Sequence, residues 1–438
     1  MTPSIDFKAQ LIAEFQLNES HMNGESRSLL HQRRRQALTR FEQLGFPTVK
    51  NEEWKYSNVR NLVSQSFNLA PPVEVEADDL RFLHIPNLTG NILYFLNGQY
   101  QPQLSTIVSS EEEVQIMPFS EATKRFPELV EKHFAKYADD STDAFTALNT
   151  AFAHHGVFIS VPKGKVVEAP IILRFAVDAR SENVAAQPRN LIVLGKGAEV
   201  KVSESFRTLG TFASFTNVVT EVALAEEARF EYYKIQDEPE NASHIGTTQI
   251  NHSRGSFSNS TTVTINGGFV RNNLNLVMGG EHVEAHLNGL YLPNGKQHID
   301  NHTLVDHAMP NCYSNELYKG ILFDQSTGVF NGKIFVREDA QKTNAYQSCK
   351  NVLASETATM NTKPQLEIYA DDVKCSHGTT TGQMNEESLF YLQSRGIPKD
   401  KARALLMLAF AEDVVEKIQI PAIREYLESA ITKKIGEI

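Results

Sequence analysis

The stretch from Thr261 to Leu290, TTVTINGGFVRNNLNLVMGGEHVEAHLNGL, decides the fold class of this chain. Apolar residues alternate with polar ones in it, as at Val263 and Ile265, and this alternation predicts half-buried β-strands. Gly and Asn separate the strands, and turn signals recur at roughly 9 to 13 residues from about Gly156 to Gly378. The sequence therefore predicts a β domain over 156–378, built either as an antiparallel sandwich or as coils of a parallel β-helix.

The segment before residue 156 reads as mixed and mostly helical. Ser26 to Leu44 has apolar residues at helical spacing and stops at Gly45, which predicts a helix with a defined end. Ile92 to Gly98 predicts a strand that ends in an Asn-Gly turn. Phe126 to Phe134 predicts a short helix.

The segment after residue 378 returns to a helical pattern. Ser388 to Gln393 predicts one helix, Pro398 is placed to open a second, and Pro421 separates that helix from a final one. The second helix is predicted to carry one apolar stripe, formed by Ala402, Leu405, Leu406, Ala409, Phe410 and Ile418.

Composition is that of an ordinary globular protein, with 41% hydrophobic and 22% charged residues in 438. No apolar run reaches the length of a membrane span, so no membrane partner is predicted. Met1 to Gln10 lacks the basic flank and apolar core of a signal peptide, which predicts a cytoplasmic protein. A net charge of -11 opposes binding to nucleic acid.

Three sparse cysteines argue against a disulfide framework, and no CxxC pair indicates a structural zinc site. Cys312 and Cys349 have no ligand-type pattern around them and are predicted to be core thiols. The chain also lacks a GxxxxGK[ST] phosphate loop, a GxGxxG turn and a Gly-x-Ser-x-Gly elbow. Neither nucleotide hydrolysis nor serine hydrolase chemistry is therefore predicted.

The most informative stretch for function is Ala370 to Gly378, ADDVKCSHG. If it is a strand, Cys375 and His377 share one face while Lys374 points the other way. Sulfur and nitrogen could then meet a metal together. A packed thiol beside a hydrogen-bonded ring is the alternative.

A histidine-rich stretch lies upstream of these residues. His282, Glu284 and His286 alternate, and His298, Asp300 and His302 do so again. The spacing is not the helical H-E-x-x-H of a zinc protease. Hydrogen-bonded ladders on a strand face are favoured here, and a route for iron uptake is the alternative.

The residues from Gln383 to Leu392 and from Ser394 to Leu406, together with Pro47 to Tyr56, resemble segments of the SufB/SufD family of iron-sulfur cluster assembly scaffolds. The core from Lys374 to Gly378, KCSHG, is similar to the SufD branch. The resemblance implies a mainly β protein with a right-handed parallel β-helix core at 156–378. Helical domains would flank it at 1–155 and 379–438, the latter docking an ATPase.

The same resemblance implies a non-catalytic scaffold subunit that pairs with SufB and is bound by the ABC-type ATPase SufC. In relatives of this branch the histidine matching His377 is proposed to face a cysteine of SufB, where a nascent iron-sulfur cluster or iron would be held. Cys375 is the second candidate ligand, and a reduced flavin is implied for the whole complex. A homodimer is expected when the partner is absent.

Two alternatives remain open at the level of sequence. One is a sulfur-accepting subunit of the SufB type. The other is a stand-alone β-helix enzyme acting on carbohydrate, for which the only tempting carboxylates are Asp371 and Asp372. Adjacent residues on a strand point to opposite faces and could not flank one glycosidic bond, which argues against the enzyme.

Overall fold

Two sheets of mostly parallel strands wind around a common interior in this protein. The computed structural model describes residues 6–20, 28–73, 75 and 77–437. Within them the chain forms a parallel β-solenoid of about eight turns, flanked by N-terminal and C-terminal helices. This confirms the mainly β architecture and selects the coiled alternative over the sandwich. The right-handed winding and the domain limits stay predictions.

The first sheet runs along one side of the solenoid. Successive strands in it are offset by 26 residues between Ser243 and Phe269 and by 32 between Thr327 and Thr359. In chain order its strands are β1 (Asn68–Leu69), β4 (Gln115–Pro118), β5 (Val157–Val161), β7 (Val184–Ala186), β8 (Arg189–Leu194), β10 (Ser214–Leu224), β12 (Ala242–His252), β14 (Phe269–Met278), β16 (His298–His307), β18 (Thr327–Val336) and β20 (Thr359–Ile368).

The second sheet closes the other side. Its strands are β2 (Asn91–Leu96), β3 (Gln99–Tyr100), β6 (Ile171–Ala179), β9 (Glu199–Gly210), β11 (Arg229–Asp237), β13 (Phe257–Asn266), β15 (Glu284–Tyr291), β17 (Tyr313–Leu322), β19 (Thr343–Leu353) and β21 (Val373–Gly382). The predicted Asn-Gly turn is confirmed, because β2 and β3 form an antiparallel hairpin around it.

One corner of the solenoid is built the same way in coil after coil. A residue with left-handed backbone precedes each strand of the second sheet from β9 to β19, with φ between 59° and 67°, at Gly197, Glu227, Gly255, His282, Asn311 and Lys342. The residue that follows is buried in each case, for example Ala228 and Cys312. Most side chains disfavour this conformation, so the repeated corner is a feature that the coil geometry requires.

Helices of the N-terminal part cover the outside of the first sheet. They are α1 (Phe7–Ser20), α2 (Leu29–Leu44), α3 (Arg60–Val63), α4 (Phe119–Arg125), α5 (Pro127–His133) and α6 (Ala144–Ala151). The predicted helix end at Gly45 is confirmed, with φ of 63° there. Phe7, Phe41 and Phe145 pack with Phe215 of β10, so this helical layer shares one core with the solenoid face.

A buried ion pair fastens the same layer to β8 and β10. Arg189 Nη2 lies 2.5 Å from Glu221 Oε2, and both side chains are fully buried. Glu221 also accepts hydrogen bonds from the backbone N–H groups of Ala135, Tyr137 and Ala138. The carboxylate therefore fixes the loop after α5 against the sheet.

The C-terminal helices cover the outside of the second sheet. They are α7 (Glu386–Ser394), α8 (Lys399–Val415) and α9 (Pro421–Glu437). The apolar stripe predicted on α8 is wrong in part, because Leu405 and Ala409 are exposed. The face that packs on Val263 and Leu290 carries Met407, Ala411 and Val414. No helix in the described ranges has both the length and the apolar character needed to cross a lipid bilayer.

Candidate functional site

The strand β21 carries the two residues singled out in the sequence. Cys375 pairs with Ala345 of β19, and His377 pairs with Gln347 two positions further along. Ala345 and Gln347 are buried and alternate with more exposed neighbours, so this face of the sheet looks into the solenoid. Cys375 and His377 share that inward face, and Lys374 is exposed on the other. The predicted strand and its shared face are confirmed.

The two side chains have different surroundings. Cys375 is half-buried and packs against an aliphatic cluster that includes Ile334, Ala345 and Ala370. Burial raises the pKa of its thiol. His377 is exposed and makes no hydrogen bond within the described residues. The imidazole is therefore available to a metal, whereas the thiol is partly withdrawn.

His377 is exposed because it lies at the open end of the solenoid. β20 and β21 are the last strands of their sheets, and in the described structure each pairs with only one other strand. Both are ten residues long. Pro364 in β20 has no N–H to donate, while β21 contains no proline. The β21 edge beside His377 is therefore free to pair with another strand.

Apolar surface surrounds this open end. The exposed large side chains Tyr346, Ile368 and Tyr369 lie on or next to β19 and β20. Tyr369 contacts the ring of Phe335 but remains mostly exposed. Exposed apolar groups beside unpaired strand edges are typical of a protein-protein interface.

A line of polar side chains leads inward from His377. Glu316 of β17, Gln347 of β19 and His377 occupy successive positions of one inward-facing ladder. Glu316 is 1% exposed and accepts hydrogen bonds at one oxygen from Thr303 at 2.8 Å and from Gln347 at 3.1 Å. Burial raises the pKa of its carboxyl to about 7. Glu316 and Gln347 are not among the residues predicted from the sequence. Their spacings of 31 and 30 residues to the next ladder position are the signal that could identify them.

No group of three or more His, Cys, Asp or Glu side chains able to hold a metal occurs in the described part of the chain. Cys312 and Cys349 are buried, as predicted for core thiols. Burial raises the pKa of Cys349 to about 11. Its sulfur accepts a hydrogen bond from Asn351 at 3.3 Å.

The first part of the histidine-rich stretch does not form one row. His282 lies in the corner before β15 with φ of 59°, so it does not alternate with Glu284 and His286 as expected. His286 instead has Glu284 as its partner, 2.8 Å from Nε2.

The second part of that stretch does form one outward row, on β16. His298 and Asp300 both contact the hydroxyl of Ser57, and Asp300 pairs with Arg271 at 2.9 Å. Burial opposes ionisation of Asp300, but the charges of His302 and Arg271 outweigh it and lower its pKa. These groups are hydrogen-bonded, as favoured from the sequence, and they hold the N-terminal segment on the first sheet.

The only tryptophan belongs to that segment. Trp54 is buried, and the guanidinium of Arg271 lies 4.0 Å from the centre of its ring. Arg271 also donates to the backbone oxygen of Glu53. Trp54 therefore anchors this loop to the first sheet.

Asp371 and Asp372 lie in the turn before β21 rather than on a strand. Strand alternation therefore does not separate their carboxylates, contrary to the expectation from the sequence. The backbone of Asp372 is tied to the neighbouring coil, since its N–H donates to Gln341 Oε1 at 2.9 Å.

The C-terminal helices expose aromatic surface. In α7, Phe390 is 72% and Tyr391 58% exposed. Leu405 of the adjacent α8 is also exposed. α7 has Leu389 as its one buried residue, so the rest of the helix is free to meet another protein.

Comparison with known protein families decides the assignment. Residues 175–410 match the family model of the SufBD core domain of the SUF iron-sulfur cluster assembly system. Residues 5–173 match the model of the SufBD N-terminal region. The chain belongs to the SufBD family. In this SufBD protein the match to the N-terminal region precedes the match to the core.

Individual relatives support the same assignment. The chain is 30% identical to the iron-sulfur cluster assembly protein SufD of Escherichia coli over 94% of its length and 93% of that protein. It is 28% identical to a SufBD family protein of Synechocystis sp. over 98% and 95% of the two chains. A SufBD family protein of Pyrococcus horikoshii is 28% identical over 72% and 71%. The chain is thus a SufD homologue in a family devoted to iron-sulfur cluster assembly.

Proposed function

We propose that this protein is a non-catalytic scaffold subunit of a cytoplasmic Suf complex, in which iron-sulfur clusters are assembled at its interface with SufB. The observation that carries the proposal is the position of His377. This exposed imidazole lies at the open end of the solenoid, next to the unpaired edge of β21. A partner that pairs with this edge would bring its own side chains to His377.

The chemistry proposed for this interface is shared between two chains. Neutral imidazole coordinates iron, and histidine can replace cysteine on one iron of a two-iron cluster. His377 would supply nitrogen and a cysteine of SufB thiolate to the iron or cluster that is the cargo. Cys375 is the second candidate ligand from this chain. A reduced flavin would bind the complex as a whole, and we assign it to no residue here.

The exposed face of α7 and α8 is proposed to dock SufC. Phe390, Tyr391 and Leu405 supply apolar surface of the kind that fills pockets at protein interfaces. α8 also packs on the second sheet, with Lys319 of β17 contacting Asp413. Nucleotide-driven movement of SufC would therefore act on the solenoid through α8, as a switch between a closed and an open interface.

The test is the cluster content of the complex with His377→Ala. This chain, SufB and SufC are co-expressed and purified without oxygen, and iron and sulfide are measured per complex. We expect H377A to co-purify in unchanged stoichiometry and to contain at least about tenfold less cluster. Substituting residues that only hydrogen-bond to a metal ligand already lowers metal affinity by about that factor. Lys374→Ala is the control, because Lys374 lies on the opposite face of the same strand.

Cys375→Ala separates the two candidate ligands in the same assay. Because Cys375 packs in an aliphatic cluster, we expect C375A to retain most of the cluster. A normal cluster content in H377A would refute the assignment. A complex that fails to form with the wild-type chain would refute the scaffold role itself.

A further inference from the structure

The ladder behind His377 contains buried oxygens that lack partners. Glu316 Oε1 and Gln347 Oε1 accept no hydrogen bond, although both atoms are buried. The other side-chain polar atoms of the pair are satisfied, because Gln347 Nε2 donates to Glu316 Oε2. Native proteins rarely leave buried acceptors unsatisfied, and such atoms commonly mark the place of a water or an ion.

A glycine makes room for the Gln347 amide in the interior at this coil. Gly332 of β18 faces Gln347 from the other sheet, and a Cβ atom on it would come within 2.3 Å of Gln347 Nε2. A larger residue at 332 would displace the amide. The position of the amide, and with it the hydrogen bond to Glu316, therefore depends on glycine at position 332.

Glu316 also lacks a positive partner. No Lys, Arg or His within the described residues forms an ion pair with it, and its bonding partners are the neutral Thr303 and Gln347. The charged form of a carboxyl enclosed in this way is costly, and either a proton or a cation can compensate it. Carboxylate and amide oxygens with one imidazole form a ligand set that suits ferrous iron or manganese.

We propose that Glu316, Gln347 and His377 form a divalent-cation site within this chain, which holds ferrous iron before SufB completes the interface. Two strand spacings separate Glu316 from His377, about 10 Å between Cα atoms, with Gln347 between them. For all three to hold one cation, the Gln347 amide would turn its oxygen toward it, because its Nε2 now donates to Glu316. The coordination positions left to water are those that sulfide or a partner thiolate would take.

This inference rests on the proposed function, because it assigns iron to His377. It extends that function in one respect. Iron would be held on this subunit by oxygen and nitrogen before any cysteine is present, so the order of assembly would be metal first and sulfur second.

The test uses the full-length chain without partners and Mn²⁺ as the probe, since manganese is stable in air and is read directly by electron paramagnetic resonance. We expect one Mn²⁺ per chain. Glu316→Gln, Gln347→Leu and His377→Ala should each weaken binding at least about tenfold. Glu367→Gln is the matched control, since Glu367 lies on β20 of the same coil but pairs with Lys333 at the surface.

The outcomes separate the site from the proposed function. If H377A loses Mn²⁺ while E316Q and Q347L retain it, His377 is a lone ligand and the site is overturned, with the scaffold role intact. Absence of Mn²⁺ binding by the wild-type chain overturns the site as well. The scaffold role is then tested independently by the iron and sulfide content of the complex. Should E316Q fail to fold by circular dichroism, Q347L, which changes no charge, decides the matter.

Discussion

His252 is a titratable residue whose pKa is set by burial in the interior of the solenoid. Its ring is fully enclosed, with Nδ1 2.8 Å from the hydroxyl of Ser256 and Nε2 3.0 Å from that of Ser258. Burial alone lowers its pKa to about 3. The ring is therefore neutral in the folded protein at neutral pH.

His252→Gln tests this linkage. The unfolded histidine gains a proton below about pH 6.5 and the folded one does not, so the contribution of His252 to stability is complete above pH 6.5 and falls as the pH decreases. Between pH 7 and pH 4 the wild type should lose about 3 kcal/mol that H252Q does not lose. Urea unfolding at the two pH values measures the difference, and parallel losses in both proteins would contradict the prediction.

The candidate site was only partly predictable at the level of single residues. Cys375 and His377 are two positions apart, so strand alternation alone places them on one face. Glu316 and Gln347 join His377 only through the register of three strands. Coil offsets vary from 26 to 33 residues, and a shift of one residue would turn each of these side chains to the other face.

At the scale of elements, the alternation that predicts strands does not reveal how they wind. Interior positions such as Thr262 and Asn272 are polar, so the inward face lacks a continuous apolar signal. The left-handed residue that precedes each strand of the second sheet repeats from coil to coil and would indicate the winding better. It is hard to recognise in the sequence because several of these residues, such as His282 and Lys342, are not glycine. The buried face of α8 was misjudged because apolar residues surround the helix, and contact with the second sheet decides which of them are covered.

Arg189→Met tests the ion pair that fastens the N-terminal layer. The substitution leaves Glu221 buried with backbone donors only, and we expect a loss of about 3–5 kcal/mol in the free energy of unfolding. Arg180→Met is the control, because Arg180 pairs with Asp178 and Asp79 in a more exposed setting, and it should cost less than about 1 kcal/mol. Equal losses from the two variants, measured by denaturant unfolding, would contradict the role of the buried pair.

The exposed face of α7 is predicted to be required for binding SufC. Phe390→Ser and Tyr391→Ser should abolish co-purification with SufC, because the variants lose apolar contact area without touching the core. Deleting the C-terminal helices would be a poorer test, since α8 and α9 cover apolar residues of the second sheet. Phe212→Ser, at an exposed turn after β9, is the control. SufC retained by both α7 variants would rule out this docking face.

At the scale of the whole molecule, the two ends of the solenoid differ. At the first end the outermost strands are short and antiparallel, with four residues in β4 and two in β3. At the last end β20 and β21 present ten residues each. Terminal helices cover the outer faces of both sheets. The last end is therefore the largest unpaired backbone surface among the described strands.

We expect the isolated protein to associate through this end. Pairing of two β21 edges would satisfy their backbone groups and cover Tyr346 and Tyr369. Sedimentation velocity should show a homodimer that converts to a one-to-one complex when SufB is added. A species with two copies of this chain and one SufB would contradict the prediction, because it would require a second surface.

The short antiparallel strands at the first end have a consequence for assembly. A coiled protein with two matching ends can stack head to tail without limit and form fibres. Here β3 and β4 terminate one end of the coil. Association can proceed only from the other end and stops once that end is occupied. The architecture therefore favours closed pairs over polymers, which protects a long parallel β-structure from aggregation in a crowded cell.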